Sequence, residues 1–322
     1  MKKLLYIFVF ASFFKGFSQD PIHTQFFMVP ETLSSSFTGA KQSTRAGIIH
    51  RTQWPGLNFS INTQFAFVDN WFEEVKSGIG ISVLNHKETT TRYNFTQVNL
   101  NYAYQFQISD EWNVRPSISV GYGAKDFGFQ NLVLEDQINI FSGIINANSI
   151  DPINLNESVR FIDFGASVLF NSENSWVGFT VKHLNRPNIS MEIGGQENLD
   201  MFMSLHGSLY IPFGGYKNDN KLFVLANGMM QGAYNRFDLG AKYEMDRFSF
   251  GLLAATNPIK TDPNSHFLTS INAFVGMDWE GFRFGYSYDF NVTEIGRTGG
   301  VYELSISYDF LNNDNCFGCP DY

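Results

Sequence analysis

The chain has 322 residues and a formal net charge of -9; charged residues make up 16% of it, and aromatic residues, including 34 phenylalanines, another 16%. Soluble domains carry about 25% charged residues, so this composition argues against a soluble enzyme. An acidic chain without basic clusters also argues against nucleic acid as a partner.

Residues 1–18 have the pattern of a cleaved export signal. Two lysines open the chain, an apolar run covers residues 4–14, and a small-x-small cleavage site ends at Ser18. The alternative, an N-terminal membrane helix, needs roughly 20 apolar residues, about twice this run. Cleavage after Ser18 would start the mature chain at Gln19 and take the net charge from -9 to -12.

Residues 19–44 are expected to form an N-terminal periplasmic or plug segment. The stretch is too apolar for a free tail, since it contains Phe26, Phe27 and Phe37. We expect it to plug the interior of the barrel that the following residues predict, or to pack at its periplasmic mouth. Binding of a partner is a weaker alternative.

Residues 45–310 alternate with period two. In the last segment Tyr302, Leu304 and Ile306 lie on one face, whereas Glu303 and Ser305 lie on the other. One oily and one polar face per segment is typical of a barrel with lipid outside and a wet interior. The predicted strands cover residues 45–53, 56–68, 76–86, 92–107, 112–125, 158–171, 174–185, 201–213, 220–231, 235–245, 247–256, 266–278, 280–290 and 300–310.

The predicted fold is therefore all-β: a transmembrane, antiparallel, up-and-down β-barrel of the outer-membrane type with about fourteen strands. Short and long connections alternate, and the longest covers residues 127–157. Outer-membrane barrels have short periplasmic turns and longer external loops, so an even strand count places both termini in the periplasm. A soluble β-sandwich is the alternative, but its strands usually have about 5–6 residues.

Residues 311–322 form a predicted periplasmic C-terminal tail that carries a Cys-x-x-Cys pair. Cys316 and Cys319 are the only cysteines of the chain. In an oxidising compartment a local disulfide is the expected state of such a pair. A docking segment for a periplasmic partner is the alternative role of this tail.

The predicted interior carries charges of both signs. Such charges pair across a barrel and stiffen it, or else they line a selective pore. The residues are Arg115, Asp163, Lys182, Asp238, Lys242, Arg283, Asp289 and Glu303.

No catalytic, cofactor or metal site is predicted, and no enzyme activity is expected. The six histidines are scattered and lack the spacing of a zinc protease. Ser204 and His206 share a strand face, but positions i and i+2 lie about 7 Å apart along a strand. We therefore predict that they do not form a nucleophile–base pair.

The long connection is the predicted partner-binding surface, because its apolar side chains would otherwise face water. The alternative is that this loop folds into the barrel and closes it. The candidate residues are Leu132, Val133, Leu134, Ile138, Ile140, Phe141, Ile144 and Ile145.

Four short motifs resemble the PorP/SprF family of type IX secretion system outer-membrane proteins. They are an Asp-Pro, Gln-aromatic and Pro opening, an aromatic-small-Gly step, an Arg-x-Gln-Trp turn and a closing hairpin. The residues that carry the resemblance are Pro21, Gln25, Phe26, Pro30, Phe37, Gly39, Arg51, Gln53, Trp54, Tyr288, Asp289, Gly299, Gly300 and Glu303.

The resemblance implies a non-enzymatic role in an outer-membrane machine. Such proteins assist the secretion or surface anchoring of a cognate adhesin and are linked to gliding. The implied partners are outer-membrane lipid, the C-terminal domain of a large secreted surface protein, and periplasmic secretion components. A small-molecule transporter or porin is the alternative function.

Overall fold

A computed structural model of the chain describes residues 19–57, 60–90, 92–128, 158–212, 220–259, 267–293, 298–310 and 319–320. Its helical segments are short 3-10 turns, at Pro30–Thr32, Ser35–Phe37 and Glu73–Val75 among them. No helix within these ranges is long and apolar enough to cross a membrane. The strands are β1 (Arg45–Gln53), β2 (Ile61–Phe72), β3 (Ser77–Glu88), β4 (Asn94–Tyr104), β5 (Phe106–Gln107), β6 (Asn113–Asp126), β7 (Ser158–Asn171), β8 (Ser175–Lys182), β9 (Phe202–Ile211), β10 (Lys221–Gln231), β11 (Tyr234–Met245), β12 (Phe248–Thr256), β13 (Leu268–Trp279), β14 (Phe282–Asn291) and β15 (Val301–Asp309).

The strands form one closed antiparallel sheet. Each pairs with its neighbours in chain order, and β15 closes the barrel on β1, from Arg45 opposite Asp309 to Gln53 opposite Val301. Because β6 pairs with both β4 and the two-residue β5, these two strands fill one position, and the barrel has fourteen. The predicted fold class and strand number are confirmed. The single strand expected over residues 92–107 is interrupted at Gln105, whose backbone N–H donates to the Lys76 carbonyl at 2.9 Å.

The two ends of the barrel differ in their connections. At the end where β1 begins, here called the turn end, β11 joins β12 through residues 246–247 and β13 joins β14 through residues 280–281. At the opposite loop end, β8 joins β9 through residues 183–201. One loop-end connection, residues 232–233, is as tight as the turns, so long loops are not universal at this end.

The outward faces are apolar, as the period-two pattern predicted. On β4, Val98, Leu100 and Tyr102 are exposed at 42%, 56% and 41%, respectively. An outer surface of this kind is stable only when hydrocarbon covers it, which is the environment of an outer-membrane barrel.

The inward faces differ from the expected wet interior. Phe65 and Phe67 on β2, Phe223 and Leu225 on β10, and Phe274 on β13 all point inward and are buried. Large apolar side chains that water would otherwise reach need an apolar partner. The N-terminal segment, residues 19–44, supplies that partner.

Candidate functional site

The N-terminal segment lies inside the barrel and runs along it. Near the loop end, the backbone N–H of Asp20 donates a hydrogen bond to the Gln231 side chain at 2.7 Å. Glu31 bonds Arg45, the first residue of β1, at the turn end. The described chain therefore starts at the loop end, and the segment crosses the interior before β1 begins at the turn end. The periplasmic placement of both termini stays a prediction.

The carboxylate of Glu303 is the main polar anchor of the segment. It lies on the inward face of β15 and is 1% exposed. It accepts hydrogen bonds from the backbone N–H groups of Thr24 at 2.8 Å and Gln25 at 2.9 Å. It also pairs with the Arg51 guanidinium at 2.5 Å. One buried side chain thus ties the segment to both strands of the closing seam.

Further polar contacts fix the same two residues of the segment. The Thr24 hydroxyl donates to Asp289 Oδ2 at 2.8 Å. The Gln25 amide donates to the Ser287 hydroxyl and to the Glu303 carbonyl, both at 3.0 Å. Because nearly every polar atom of this pair has a partner, the segment has a defined register against β14 and β15.

Aromatic packing holds the middle of the segment. Phe26, Phe27 and Phe37 have no exposed surface. Phe27 packs edge-on against Phe274 with ring centroids 4.9 Å apart, and Phe37 packs in the same way on Trp176 at 5.1 Å. Buried aromatic side chains contribute most of the apolar contact area in such an interface.

The segment leaves the interior at the turn end through a tight passage. Arg115, fully buried, donates to the backbone carbonyls of Ser36 at 3.0 Å and Thr38 at 2.7 Å. Gly39 follows with φ +67°, and a Cβ at this position would lie 2.8 Å from Gly78 Cα. The positive φ and the close approach both require glycine here.

At the loop end a histidine bridges the segment and the wall. His183 Nε2 lies 3.0 Å from both carboxylate oxygens of Asp20, and its Nδ1 lies 2.9 Å from Asp163 Oδ2. Burial acts to lower the pKa of His183, but attraction to Asp20 and hydrogen bonds to both carboxylates raise it to about 9. Burial acts to raise the pKa of Asp20, yet His183 and Lys182 lower it to about 2. The pair is therefore ionised at neutral pH.

The Arg-x-Gln-Trp turn and the closing hairpin contact each other at the loop end. Trp54 has φ +59°, and its backbone N–H donates to the Gly300 carbonyl at 3.0 Å. Gly299 and Gly300 have φ +80° and +72°, and the Tyr288 hydroxyl donates to the Gly299 carbonyl at 3.3 Å. Both positions have a positive φ, which favours glycine, and this backbone conformation allows the β14–β15 connection to bond the β1–β2 turn.

The charged residues predicted for the interior contact neighbouring residues of the wall or the N-terminal segment. Asp238 bonds Arg236 at 2.7 Å, Lys242 bonds Glu244 at 2.8 Å, and Lys182 donates to the Thr32 carbonyl at 3.0 Å. Arg283 bonds Asp278 at 2.8 Å near the turn end. These three ion pairs join residues of one strand or of adjacent strands, so of the contacts named here only that of Lys182 reaches from the wall to the segment.

The prediction that Ser204 and His206 cannot meet is wrong. Their side chains turn toward each other on the inward face, and Ser204 Oγ lies 2.9 Å from His206 Nδ1. The Cα spacing of a strand does not limit two side chains that lean along it. Both residues are 1% exposed, and His206 packs against Phe37 and Trp176, so the N-terminal segment covers the pair. A substrate cannot reach this hydroxyl while the segment is in place.

Three predicted features fall wholly or partly outside the described residues. The apolar candidates between residues 132 and 145 lie there, as do Cys316 and the signal at residues 1–18, and these stay predictions. Cys319 is described, but its expected partner is not. Within the described ranges, no group of three or more His, Cys, Asp or Glu side chains could hold a metal ion.

Comparison with known proteins gives a family and a fold. The family described as "Type IX secretion system membrane protein PorP/SprF" matches residues 15–308. Nothing among curated protein sequences matches the chain.

Two solved structures of outer-membrane transporters are similar to the chain. The P. putida toluene transporter TodX is similar with a TM-score of 0.50 and 8% identity, over 87% of this chain and 93% of that one. The Ralstonia pickettii toluene transporter TbuX has a TM-score of 0.47 and 8% identity, over 88% and 94%. At such identity the likeness to TodX concerns the fold alone.

Proposed function

This chain belongs to the PorP/SprF family of type IX secretion system membrane proteins, and from that premise we propose that it is an outer-membrane anchor. It assists secretion or surface attachment of one large secreted protein, and through that protein it contributes to gliding motility. The barrel holds the anchor in lipid, the long loop-end connection binds the C-terminal domain of the secreted protein, and the turn end meets periplasmic components of the machine.

The observation that carries this proposal is the filled interior. Phe26, Phe27 and Phe37 have no exposed surface, and Glu303 accepts two backbone N–H groups of the same segment. A passive pore needs an open path, whereas an anchor needs a stiff scaffold that presents its loops. A packed core inside the barrel supplies that stiffness.

The apolar loop residues between 132 and 145 are the proposed contact for the secreted partner. Their sequence would place many isoleucine and leucine side chains in water if nothing covered them. The tail beyond residue 310 is the proposed contact on the periplasmic side, where the Pro320 carbonyl accepts from the Lys41 ammonium at 2.8 Å. This bond joins Pro320 to a residue near the exit of the N-terminal segment, which supports the assignment.

The test is affinity purification from mild detergent followed by mass spectrometry. The full-length chain is expected to recover a large secreted protein and periplasmic secretion components. Deletion of residues 130–156 should lose the secreted protein and keep the periplasmic components, and removal of residues 311–322 should do the reverse. Recovery of neither class from the intact chain contradicts the anchor.

The small-molecule transporter remains the alternative that this experiment must exclude. It requires the N-terminal segment to leave the interior, because the segment contacts β6 on one side and β15 on the other. Planar-bilayer recordings of the full chain separate the two functions. The anchor predicts no sustained open pore, and the transporter predicts one.

A further inference from the structure

Strand β7 extends beyond its neighbour β8 at the loop end. It pairs with β6 along its whole length, but with β8 only over residues 166–171. β8 ends at Lys182, and the next residue, His183, takes a left-handed backbone conformation with φ +60° while its ring bonds Asp163 inside the barrel. Toward the loop end, residues 158–165 of β7 therefore have a strand on one side only.

The hydrogen bonds at the end of this pairing show which backbone groups form the open edge. The Leu184 N–H donates to the Phe164 carbonyl at 2.9 Å. The Asn185 side chain accepts from the Phe164 N–H at 3.2 Å and donates to the Ile162 carbonyl at 2.7 Å. Because alternate residues of an antiparallel strand bond opposite neighbours, the N–H groups of Ile162 and Arg160 and the Arg160 carbonyl point to the same side. Within the described ranges these three groups have no hydrogen-bond partner in the protein.

A groove lies beside this open edge. It has a volume of about 500 Å³, and Ser158 and Val159 form one of its sides. The other side is a hairpin of the β8–β9 connection, to which Asn188, Glu192 and Gly195 belong. The groove is therefore bounded by an incompletely paired strand and by a second piece of backbone.

The hairpin on the far side of the groove has a fixed shape. The Asn188 side chain accepts from the backbone N–H groups of Ser190 and Glu197, both at 3.0 Å. Ile189 and Leu199 are buried in a cluster with aromatic side chains inside the mouth of the barrel. Since both sides of the groove are formed in advance, little conformational entropy is lost when a segment enters it.

We propose that an extended segment of the secreted partner adds to β7 as a further strand in this groove. Such a strand would pair with the open backbone groups of Arg160 and Ile162, and main-chain hydrogen bonds of this kind give peptides their affinity for exposed sheet edges. Arg160 is exposed on the outward face of β7, so an acidic residue of the added strand is favoured beside it. In a second copy of this chain the same edge lies beside the same hairpin, so two such edges would meet only if both hairpins moved.

This inference rests on the proposed function, because the segment belongs to the secreted protein that the loop end holds. It adds a contact through backbone atoms to the contact proposed for the apolar loop residues. The two contacts respond to different changes, since the backbone contact depends on the edge of β7 and not on residues 130–156.

Amide hydrogen exchange at single-residue resolution tests the pairing on the unmodified chain. In the barrel alone, the Arg160 and Ile162 amides should exchange fast, whereas the Val159 and Phe161 amides, which point to β6, should exchange slowly. In the complex that co-purifies with the full-length chain, we expect the first two amides to slow by roughly tenfold or more.

The outcomes separate this inference from the proposed function. Unchanged exchange in a complex that contains the secreted protein overturns the added strand and leaves the proposed function intact. Recovery of no secreted protein overturns both. Slow exchange of the Arg160 and Ile162 amides in the barrel alone overturns the added strand too, because the edge would then already be paired.

Two substitutions of one residue test the backbone donor. Arg160→Pro removes the open N–H and leaves the bonds to β6 in place, and proline is tolerated where the N–H of an edge strand faces solvent. Recovery of the secreted protein should fall by roughly tenfold, about the effect of a lost hydrogen bond of 1.4 kcal/mol. Arg160→Ala is the matched control: it keeps the N–H, and it should lower recovery only slightly because an exposed ion pair contributes little. Equal recovery with the two variants in folded barrels refutes the pairing.

Discussion

Glu303→Ala should release the N-terminal segment from the closing seam. The change removes the acceptor for the Thr24 and Gln25 backbone N–H groups and the partner of Arg51 at 2.5 Å. Removing one member of a buried ion pair costs about 3–5 kcal/mol, and an orphaned buried N–H costs about 1–3 kcal/mol. These terms overlap, and Asp289 stays 3.7 Å from Arg51 to offset part of the charge. We therefore expect about 3–4 kcal/mol, equivalent to a roughly 100- to 1,000-fold shift toward the undocked segment at about 1.4 kcal/mol per factor of ten.

Cysteine labelling in detergent measures this shift. Val29, 1% exposed in the segment, is replaced by cysteine in a chain whose two native cysteines are serine. A water-soluble maleimide should then react faster by the same factor when Glu303 is alanine, because labelling follows the open population. Glu303→Gln should give an intermediate rate, since its amide oxygen still accepts a backbone N–H.

Glu173→Ala is the matched control, because Glu173 is an exposed carboxylate on the β7–β8 turn. It should leave the labelling rate at the level of the parent chain. Equal rates for Glu303→Ala and Glu173→Ala would refute the argument that the Glu303 carboxylate holds the segment.

Three further predictions concern the same segment. Phe27→Ala removes a side chain with no exposed surface and should lower the unfolding free energy in urea by about 3–5 kcal/mol, whereas Phe164→Ala, on the lipid face, should cost less in detergent. Deletion of residues 20–40 should open a steady conductance in planar bilayers, and a silent deletion variant would contradict the filled interior. The His183 pKa is raised from 6.5 to about 9, so its stabilisation is complete below pH 6.5 and lost as the pH rises through 9. Unfolding titrations of the parent chain and His183→Ala should therefore differ most at pH 6 and converge above pH 9.

Period-two alternation was enough to predict the barrel, because every strand has one face on hydrocarbon. It identified Val98, Leu100 and Tyr102 as outward residues without any tertiary information. The pattern does not decide which face of β10 points outward, because both faces of this strand are apolar. The structure explains this ambiguity: Leu222 and Val224 face outward, while Phe223 and Leu225 pack on the N-terminal segment.

The docking site itself could be predicted only in part. The apolar character of residues 19–44 indicated a plug or a packed segment, and the motif residues Gln25, Arg51, Asp289 and Glu303 were named from a resemblance. Nothing in the spacing of these four residues shows that they meet, since 278 positions separate Gln25 from Glu303. Their convergence depends on closure of the barrel, which brings the first and last strands together.

The position of Glu303 has a consequence for how the cylinder is completed. Its carboxylate belongs to the last strand to emerge, while its partners, Thr24, Gln25 and Arg51, belong to the first part of the chain. A slip of one residue between β15 and β1 would turn the carboxylate outward into hydrocarbon. The N-terminal segment can therefore act as an internal template that accepts only a correctly aligned β15. Closure of the barrel and selection of the correct register then occur in one step.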